Sequence, residues 1–395
     1  MTGFVFPNEM EIQWGLLLVL YPYITGLVAG AFIVASLKGV FNVREVDPAY
    51  RLALLTALAF VVMATMPLLI HLGYPLRGIE MFLTPNPSSA MAMFGLVYLW
   101  YLVAILLLEI WFDYRQDFVL WSRREHGFWK FLYTVLTLGA DDLSPRAVQF
   151  DHSAVQVLSL LGIPSAFVLH GYVGFIFGSV KANPWWSSVL MPIVFLMSAI
   201  VSGMALVMLL YAFTTWVRKK TIEIACLDRL AAFLLYAVII DFTLEMLEIV
   251  HRRYEAEEAI GILTSLVVNR LYFSMFILQI LVGTVVPMLA LALLSPAFLG
   301  KTIVKASRAV RLTAYILCGL LIQVGIFAMR WNVVVGGQLY SKSLRGLQTY
   351  VPPLLGRTGV LMGIGVLITP FVILLVLTKV LPPWPDAEAS ASHVS

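Results

Sequence analysis

The chain has 395 residues, 61% of them hydrophobic and 12% charged, with 24 Phe, 16 Met and ten Trp. Soluble globular domains carry about 25% charged residues, so this composition excludes a soluble domain and describes a polytopic membrane protein. The net charge of +4 is no argument for nucleic acid, because basic residues on membrane proteins mark cytoplasmic loops; the two distant cysteines, Cys226 and Cys318, cannot hold an iron–sulfur cluster, which takes about four thiolates.

Residues 1–13 contain no Lys or Arg and include Glu9 and Glu11. They lack the positive start of a cleavable signal and are expected as an outer N-terminal segment. A transmembrane helix takes ~20 mostly apolar residues, and residues 14–37 supply the first. Trp14 and Tyr21 fall in its outer half, Pro22 interrupts its backbone ladder, and Gly26 and Gly30 form a GxxxG pair that lets another helix approach closely. The second span, 51–72, ends in "MPLLIHLGYPLRG". Ser88 or Ser89 is the expected N-cap of the third, 90–112, and Glu109 stands at its inner end as an interfacial residue. Residues 113–152 are mixed and aromatic, and read as a loop with an interfacial amphipathic helix; a further span there would put a charged, His-containing turn in lipid. Spans follow at 153–179, 188–216, 228–250, 267–295, 309–331 and 356–380, and residues 381–395 form a disordered cytoplasmic tail. The expected fold is an all-α membrane protein of about nine transmembrane helices.

Orientation follows from the 26 basic residues, of which 17 lie after odd-numbered spans and 9 on the other side. That bias places the amino terminus outside and the carboxy terminus in the cytoplasm. The even-numbered helices, which run outward, then deliver His71, His170, Glu245, Glu248 and Arg330 to one level near the outer face. Ionisable residues at such depth face the bundle interior or a water-filled cavity. In the sixth span Asp241, Glu245 and Glu248 are spaced i, i+4, i+7 and share one helical face. Three ionised carboxylates on one stripe repel, so some carry a proton or pair with Arg252, Arg253 or Arg330. Two readings stand: an ion-pair cluster that locks helices together, or a proton-transfer path. His71 is an interfacial histidine bonded to a backbone carbonyl or a functional group; His170 marks a packing kink or joins the same polar level.

Four stretches in order carry a resemblance: "QWGLLLVLYPYITGLVAGAFIVASL", "HLGYPLRGIEMFLTPNPSSAMAMFG", "AFVLHGYVGFIFG…PWWSSVLMPIVFLMSAIVSGMAL" and "MRWNVVVGGQ". The chain resembles the NrfD/PsrC family, the quinone-interacting membrane subunits of respiratory oxidoreductases, in the long form that includes sulfur-metabolism, hydrogenase-linked and alternative complex III subunits. The resemblance implies one N-terminal helix plus two four-helix bundles, here residues 51–216 and 228–380, arranged as parallel repeats with His71 and Glu248 at matching helix ends. It also implies bound quinone (menaquinone or ubiquinone) near the outer face, no haem or iron–sulfur cluster in this chain, and a ferredoxin-like iron–sulfur subunit docked outside, with further catalytic or cytochrome subunits. The setting implied is a bacterial or archaeal cytoplasmic membrane.

A quinone oxygen needs a partner that exchanges protons near neutral pH, and imidazole suits that task. His71 is therefore the expected head-group partner, with Tyr74, Arg77, Tyr21 or Trp14 lining the pocket. His170, Asp241, Glu245, Glu248, Arg330 and Asn332 form a polar core or a proton route. Two rival readings remain. A b-haem anchor needs paired axial histidines, for which His71 and His170 are the only candidates. A secondary transporter would use broken helices, and Pro22, Pro67, Pro164 and Pro192 are available.

Overall fold

In lipid, backbone polar groups find partners only within a helix or a closed barrel, and the long apolar runs of this chain take the helical solution. A computed structural model describes residues 2–3, 11–84, 86–255, 259–295 and 306–384; Glu9 and the tail beyond residue 384 lie outside these. Among the described residues, nine helices are long and apolar enough to cross a membrane: α1 (Leu16–Gly39), α2 (Arg44–His71), α3 (Ala92–Arg124), α4 (Pro145–Gly178), α5 (Met191–Val217), α6 (Ile224–Tyr254), α7 (Ile260–Leu294), α8 (Arg308–Gln338) and α9 (Val360–Val380). Serines start several of them. Ser89, rather than Ser88, caps the helix entering α3, where its Oγ accepts from Ala92 N; Ser144 and Ser307 do the same for α4 and α8.

Residues 113–152, expected as a loop with one interfacial amphipathic helix, are helical over most of their length. Helix α3 continues to Arg124 and α4 already begins at Pro145. Charged side chains of this stretch are paired with neighbouring elements. Arg51 of α2 reaches Asp113 and Asp117 of α3, both at 2.8 Å. Arg115 grips Asp151 of α4 with Nε and Nη2, and its Nη1 donates to the carbonyls of Ala140 and Asp142. Between them lies one short helix, Gly127–Leu136, which exposes Phe128, Phe131 and Val135 on one side. Its Tyr133 hydroxyl donates to Val380 O at 3.0 Å, tying it to the end of α9.

Helix α1 is apolar around its whole circumference and is buried along nearly all of its length, as such a helix must be. It packs against α2, α4, α5, α8 and α9. Small residues permit this. A Cβ added to Gly30 would lie 2.1 Å from Ala199 O, and one added to Gly203 would lie 2.3 Å from Gly30 Cα, so α1 and α5 cross backbone to backbone. Helices α7 and α8 cross in the same way at Gly283 and Gly325. Helix α9 packs on α1 and α2, whereas α6 packs on α5, on the start of α2, on α8 and on the Val286–Leu294 end of α7. The last helix thus leans on the first half of the chain. The residues 267–285 stretch of α7 is wound with i→i+5 bonding, a wide turn that in other proteins is short and often placed at functional sites.

A candidate site between the sixth, seventh and eighth helices

At the amino-terminal face, the loop after α4 meets the end of α8. The last carbonyls of a helix have no partner within it, and here side chains of the "NPWW" segment supply them. Trp185 Nε1 donates to Asn332 O at 2.8 Å, Trp186 Nε1 to Val333 O at 2.6 Å, and Asn183 Nδ2 to Gly337 O at 2.7 Å. Gly337 is required: a Cβ there would lie 2.0 Å from Trp186 Nε1. Trp14 stacks on Trp186, with ring centroids 5.2 Å apart, and its backbone exchanges two hydrogen bonds with the side chain of Gln338. Two of the sequence motifs, "PWW" and "VVVGGQ", are therefore one structural unit that also holds the start of the chain.

Beneath this clamp, Arg330 of α8 is fully buried. Its Nη2 faces His170 Nε2 of α4 at 3.1 Å and Ser198 Oγ of α5 at 2.6 Å, and its guanidinium lies 4.1 Å from the centre of the Phe195 ring. A guanidinium only donates, so His170 Nε2 accepts; His170 Nδ1 has no partner. The ring of His170 sits against Gly26, where a Cβ would come within 3.2 Å of it.

Of the three arginines expected as partners for the stripe on α6, Arg252 takes the role, at Glu248, and Arg330 does not. Among the described residues no ion pair joins Arg330 to Asp241 or Glu245, and Asp241 Oδ1 and Arg330 Nε are both without hydrogen-bond partners. Glu245 accepts instead from Gln279 Nε2 of α7 at 3.1 Å. Gln279 Oε1 accepts from Asn332 Nδ2 at 2.8 Å, and Asn332 Oδ1 accepts from Ser274 Oγ at 2.6 Å. A relay of amides thus joins α6, α7 and α8. Glu248, one turn beyond, pairs with Arg252 at 2.7 Å, and Arg252 Nη1 donates to Pro184 O at 2.5 Å, fastening α6 to the clamp.

A cavity of about 380 Å³ opens beside this relay. Glu245, Glu248, Arg252, Arg253, Gln279 and Asn332 supply its polar side and Trp185 its edge, and apart from Thr264 the remaining walls are apolar side chains of α5, α6, α7 and α8. Of the residues singled out in the sequence, Glu245, Glu248 and Asn332 meet here, while Asp241, Arg330 and His170 lie behind them. His71 is half-buried at the end of α2, and Tyr74 and Arg77 are exposed just beyond it, the guanidinium 5.2 Å from the centre of the Tyr74 ring. Tyr21 is buried edge-on to Phe94, with its hydroxyl unpartnered. Sequence reasoning missed Gln279 and Ser274. The signal was a lone amide in the apolar run "FILQILVG", but its meaning depends on which helices cross there. Glu109, expected at the interface, is instead fully buried and accepts from Ser159 Oγ at 2.5 Å.

Comparison with known proteins adds a family to this geometry. A family model described as polysulphide reductase, NrfD, matches residues 5–341. A selenate reductase subunit of Mesobacillus selenatarsenatis is 31% identical over 330 residues, covering 82% of this chain and 73% of that protein. A putative dimethyl sulfoxide reductase membrane subunit of Halobacterium salinarum is 27% identical over 197 residues, 50% of this chain and 42% of that one. The Hdr-like menaquinol oxidoreductase integral membrane subunit of Archaeoglobus fulgidus is 25% identical over 215 residues, 54% and 45% of the two chains.

Proposed function

Because this chain belongs to the NrfD family, we propose that it is the integral membrane subunit of a respiratory oxidoreductase complex that binds quinone or quinol near the extracytoplasmic face. Electrons pass between that quinone and a ferredoxin-like iron–sulfur subunit docked outside, which connects to further catalytic or cytochrome subunits. The amino terminus faces outward in a bacterial or archaeal cytoplasmic membrane, in keeping with the distribution of basic residues. The relative from Archaeoglobus fulgidus, named for menaquinol, supports the quinone assignment.

The observation that carries this reading is the buried seam of α4, α6, α7 and α8. His170 and Arg330 each lie eight residues before the end of their helix, and Glu245, Gln279 and Asn332 are joined by hydrogen bonds across α6, α7 and α8. Polar side chains at such depth are costly and mark functional pathways in membrane proteins. The quinol couple supplies two electrons and two protons. The part of His170, Asp241, Glu245, Glu248, Arg330 and Asn332 is to form the buried polar core along which those protons are taken or given. His71, at the end of α2, is the proposed head-group partner in the first half of the chain, with Tyr74, Arg77, Tyr21 and Trp14 as the further proposed pocket residues. The haem-anchor reading is disfavoured by the setting of His170, whose Nε2 is taken by Arg330 and whose ring lies against Gly26 and Phe195.

The test is copurification followed by turnover. The tagged chain should bring an iron–sulfur protein with it, and the complex should exchange electrons with added quinol. His71→Ala and Glu245→Gln should each cut quinol-dependent turnover in an assembled complex. A chain that purifies alone, or turnover untouched by both substitutions, would reject the reading.

A further inference from the structure

We infer that the cavity bounded by α6, α7 and α8 is a second seat for a redox lipid, holding a quinone ring against Gln279, Asn332 and Glu248 while the isoprenoid tail leaves between α6 and α7. This rests on the quinone-linked reading above. It places the ring in the second half of the chain, apart from His71.

Size and lining agree with such an occupant. The volume of about 380 Å³ falls among the pockets of ~300–1,000 Å³ that take small molecules in a mostly apolar setting with a few fixed polar groups. The polar groups converge on one side. Gln279 Nε2 and Asn332 Nδ2 each make one hydrogen bond, and an amide nitrogen has two N–H donors. Each can therefore still donate to a carbonyl oxygen. Glu248 and Glu245 accept from hydroxyl groups. One corner thus serves both oxidation states of a quinone, whose oxygens are acceptors when oxidised and donors when reduced.

Other lipids fit less well. A plain acyl chain would leave these donors and acceptors unpaired, and buried polar groups without partners are costly. A phosphate head group would be drawn to Arg252 and Arg253 at the mouth, but Arg252 is already held by Glu248 and Pro184 O, and the inner corner presents the carboxylates of Glu245 and Glu248, with Asp241 a turn behind, which repel an anion. A neutral ring with oxygens at its edge satisfies the amides and is tolerated by the acids.

The entrance is lateral. Helix α6 packs on α7 through Val286–Leu294, at the far end from the cavity. Nearer the amino-terminal face, Ile249 of α6 and Val268 and Phe276 of α7 line the cavity yet are exposed to the surroundings, Val268 at 59%. The wide-wound stretch 267–285 supplies Val268, Phe276 and Gln279 to this wall. Across the cavity, Arg252 closes the end toward the aqueous face through its bonds to Glu248 and Pro184 O.

The experiment uses the intact complex in membranes and a photoreactive azidoquinone carrying an isoprenoid tail, with adducts located by peptide mass spectrometry. Adducts are expected on the α6 and α7 peptides that border the cavity. Gln279→Leu and Asn332→Leu should each weaken the concentration dependence of that labelling about tenfold, the equivalent of one good hydrogen bond. Val268→Trp fills the lateral entrance without touching the polar corner and should abolish the same adducts, so the result does not hang on the fold tolerating the leucine variants. Adducts confined to the neighbourhood of His71 would overturn the inference, as would labelling indifferent to Val268→Trp. Displacement by phosphatidylglycerol as effective as by menaquinone would overturn it too, since the seat would then belong to a phospholipid. Absence of adducts anywhere, together with absence of quinol-driven turnover, would instead remove the quinone-linked reading itself.

Discussion

Arg330 of α8 donates to Nε2 of His170 on α4 at 3.1 Å, inside a protein interior where neither residue meets solvent. The contact joins helices 160 positions apart in sequence. Ser198 and the Phe195 ring, both of α5, complete the guanidinium's surroundings, so three helices share one buried cation.

That sharing makes the pair energetically coupled. His170→Phe removes the acceptor and leaves the guanidinium poorly paired, while Arg330→Met leaves Ser198 and His170 without their donor. Each should destabilise the protein by about 1–2 kcal/mol, the upper part of the range for polar contacts between membrane helices. The double variant should cost less than the sum by roughly 1 kcal/mol. Denaturation midpoints in mixed detergent measure this, and strictly additive losses would mean the contact carries no coupling.

The glycine crossings give a sharper contrast. At Gly30 an added methyl meets a backbone carbonyl at 2.1 Å, which cannot swing aside as a side chain could. Gly30→Ala should separate α1 from α5, cost about 1–3 kcal/mol and reduce the yield of folded protein. Gly365 of α9 has nothing within 4 Å of the same position, so Gly365→Ala should be neutral or stabilising, by up to about 1 kcal/mol, through helix propensity. Thermal midpoints of the two purified variants, read side by side, decide it.

The indole clamp predicts a similar asymmetry. Trp186→Phe keeps the ring stacked on Trp14 but removes the N–H that serves Val333 O, leaving a buried carbonyl unpaired at a cost of about 1–3 kcal/mol. Gly337→Ala should displace the same indole by contact. Both should lower the midpoint, and Gly337→Ala should also shift tryptophan emission to longer wavelength as Trp186 becomes solvated. Unchanged emission in Gly337→Ala would show that the loop yields without releasing the indole.

Orientation can be read directly. Val189, after α4, is 92% exposed, and Phe41, after α1, is 63% exposed; they occupy opposite faces. In a background where the buried Cys226 and Cys318 are replaced by Ser or Ala, Val189→Cys should react with a membrane-impermeant maleimide in intact cells, and Phe41→Cys only after lysis. The reverse pattern would turn the topology over and move the polar level to the cytoplasmic side.

Asp151→Asn tests why residues 113–152 are helical rather than a loop. Arg115 makes charge-assisted bonds to both Asp151 oxygens, and both residues are buried. Removing the charge should cost about 3–5 kcal/mol if the guanidinium stays buried. The region around Gly127–Leu136 should then become sensitive to protease in a stability-matched comparison.

The sequence by itself determined the membrane character, the nine spans and the shared stripe of Asp241, Glu245 and Glu248. Those properties are local: hydropathy acts over about twenty residues, and helical periodicity acts over one or two turns. Glu248 with Arg252 was legible for the same reason, being a contact one turn long. Only the tertiary structure decided that α1 stands at the centre, that Arg330 answers His170 rather than Glu245, and that Gln279 and Ser274 complete a relay with Asn332. It also decided that Glu109 is buried, and that paired charges carry α3 and α4 through a stretch that reads as loop. Each of these depends on which helices cross and at what height. Crossing is set by backbone approach at Gly30 with Gly203 and at Gly283 with Gly325, between helices far apart along the chain, and hydropathy is blind to such pairings because lipid and a neighbouring helix look equally apolar to it.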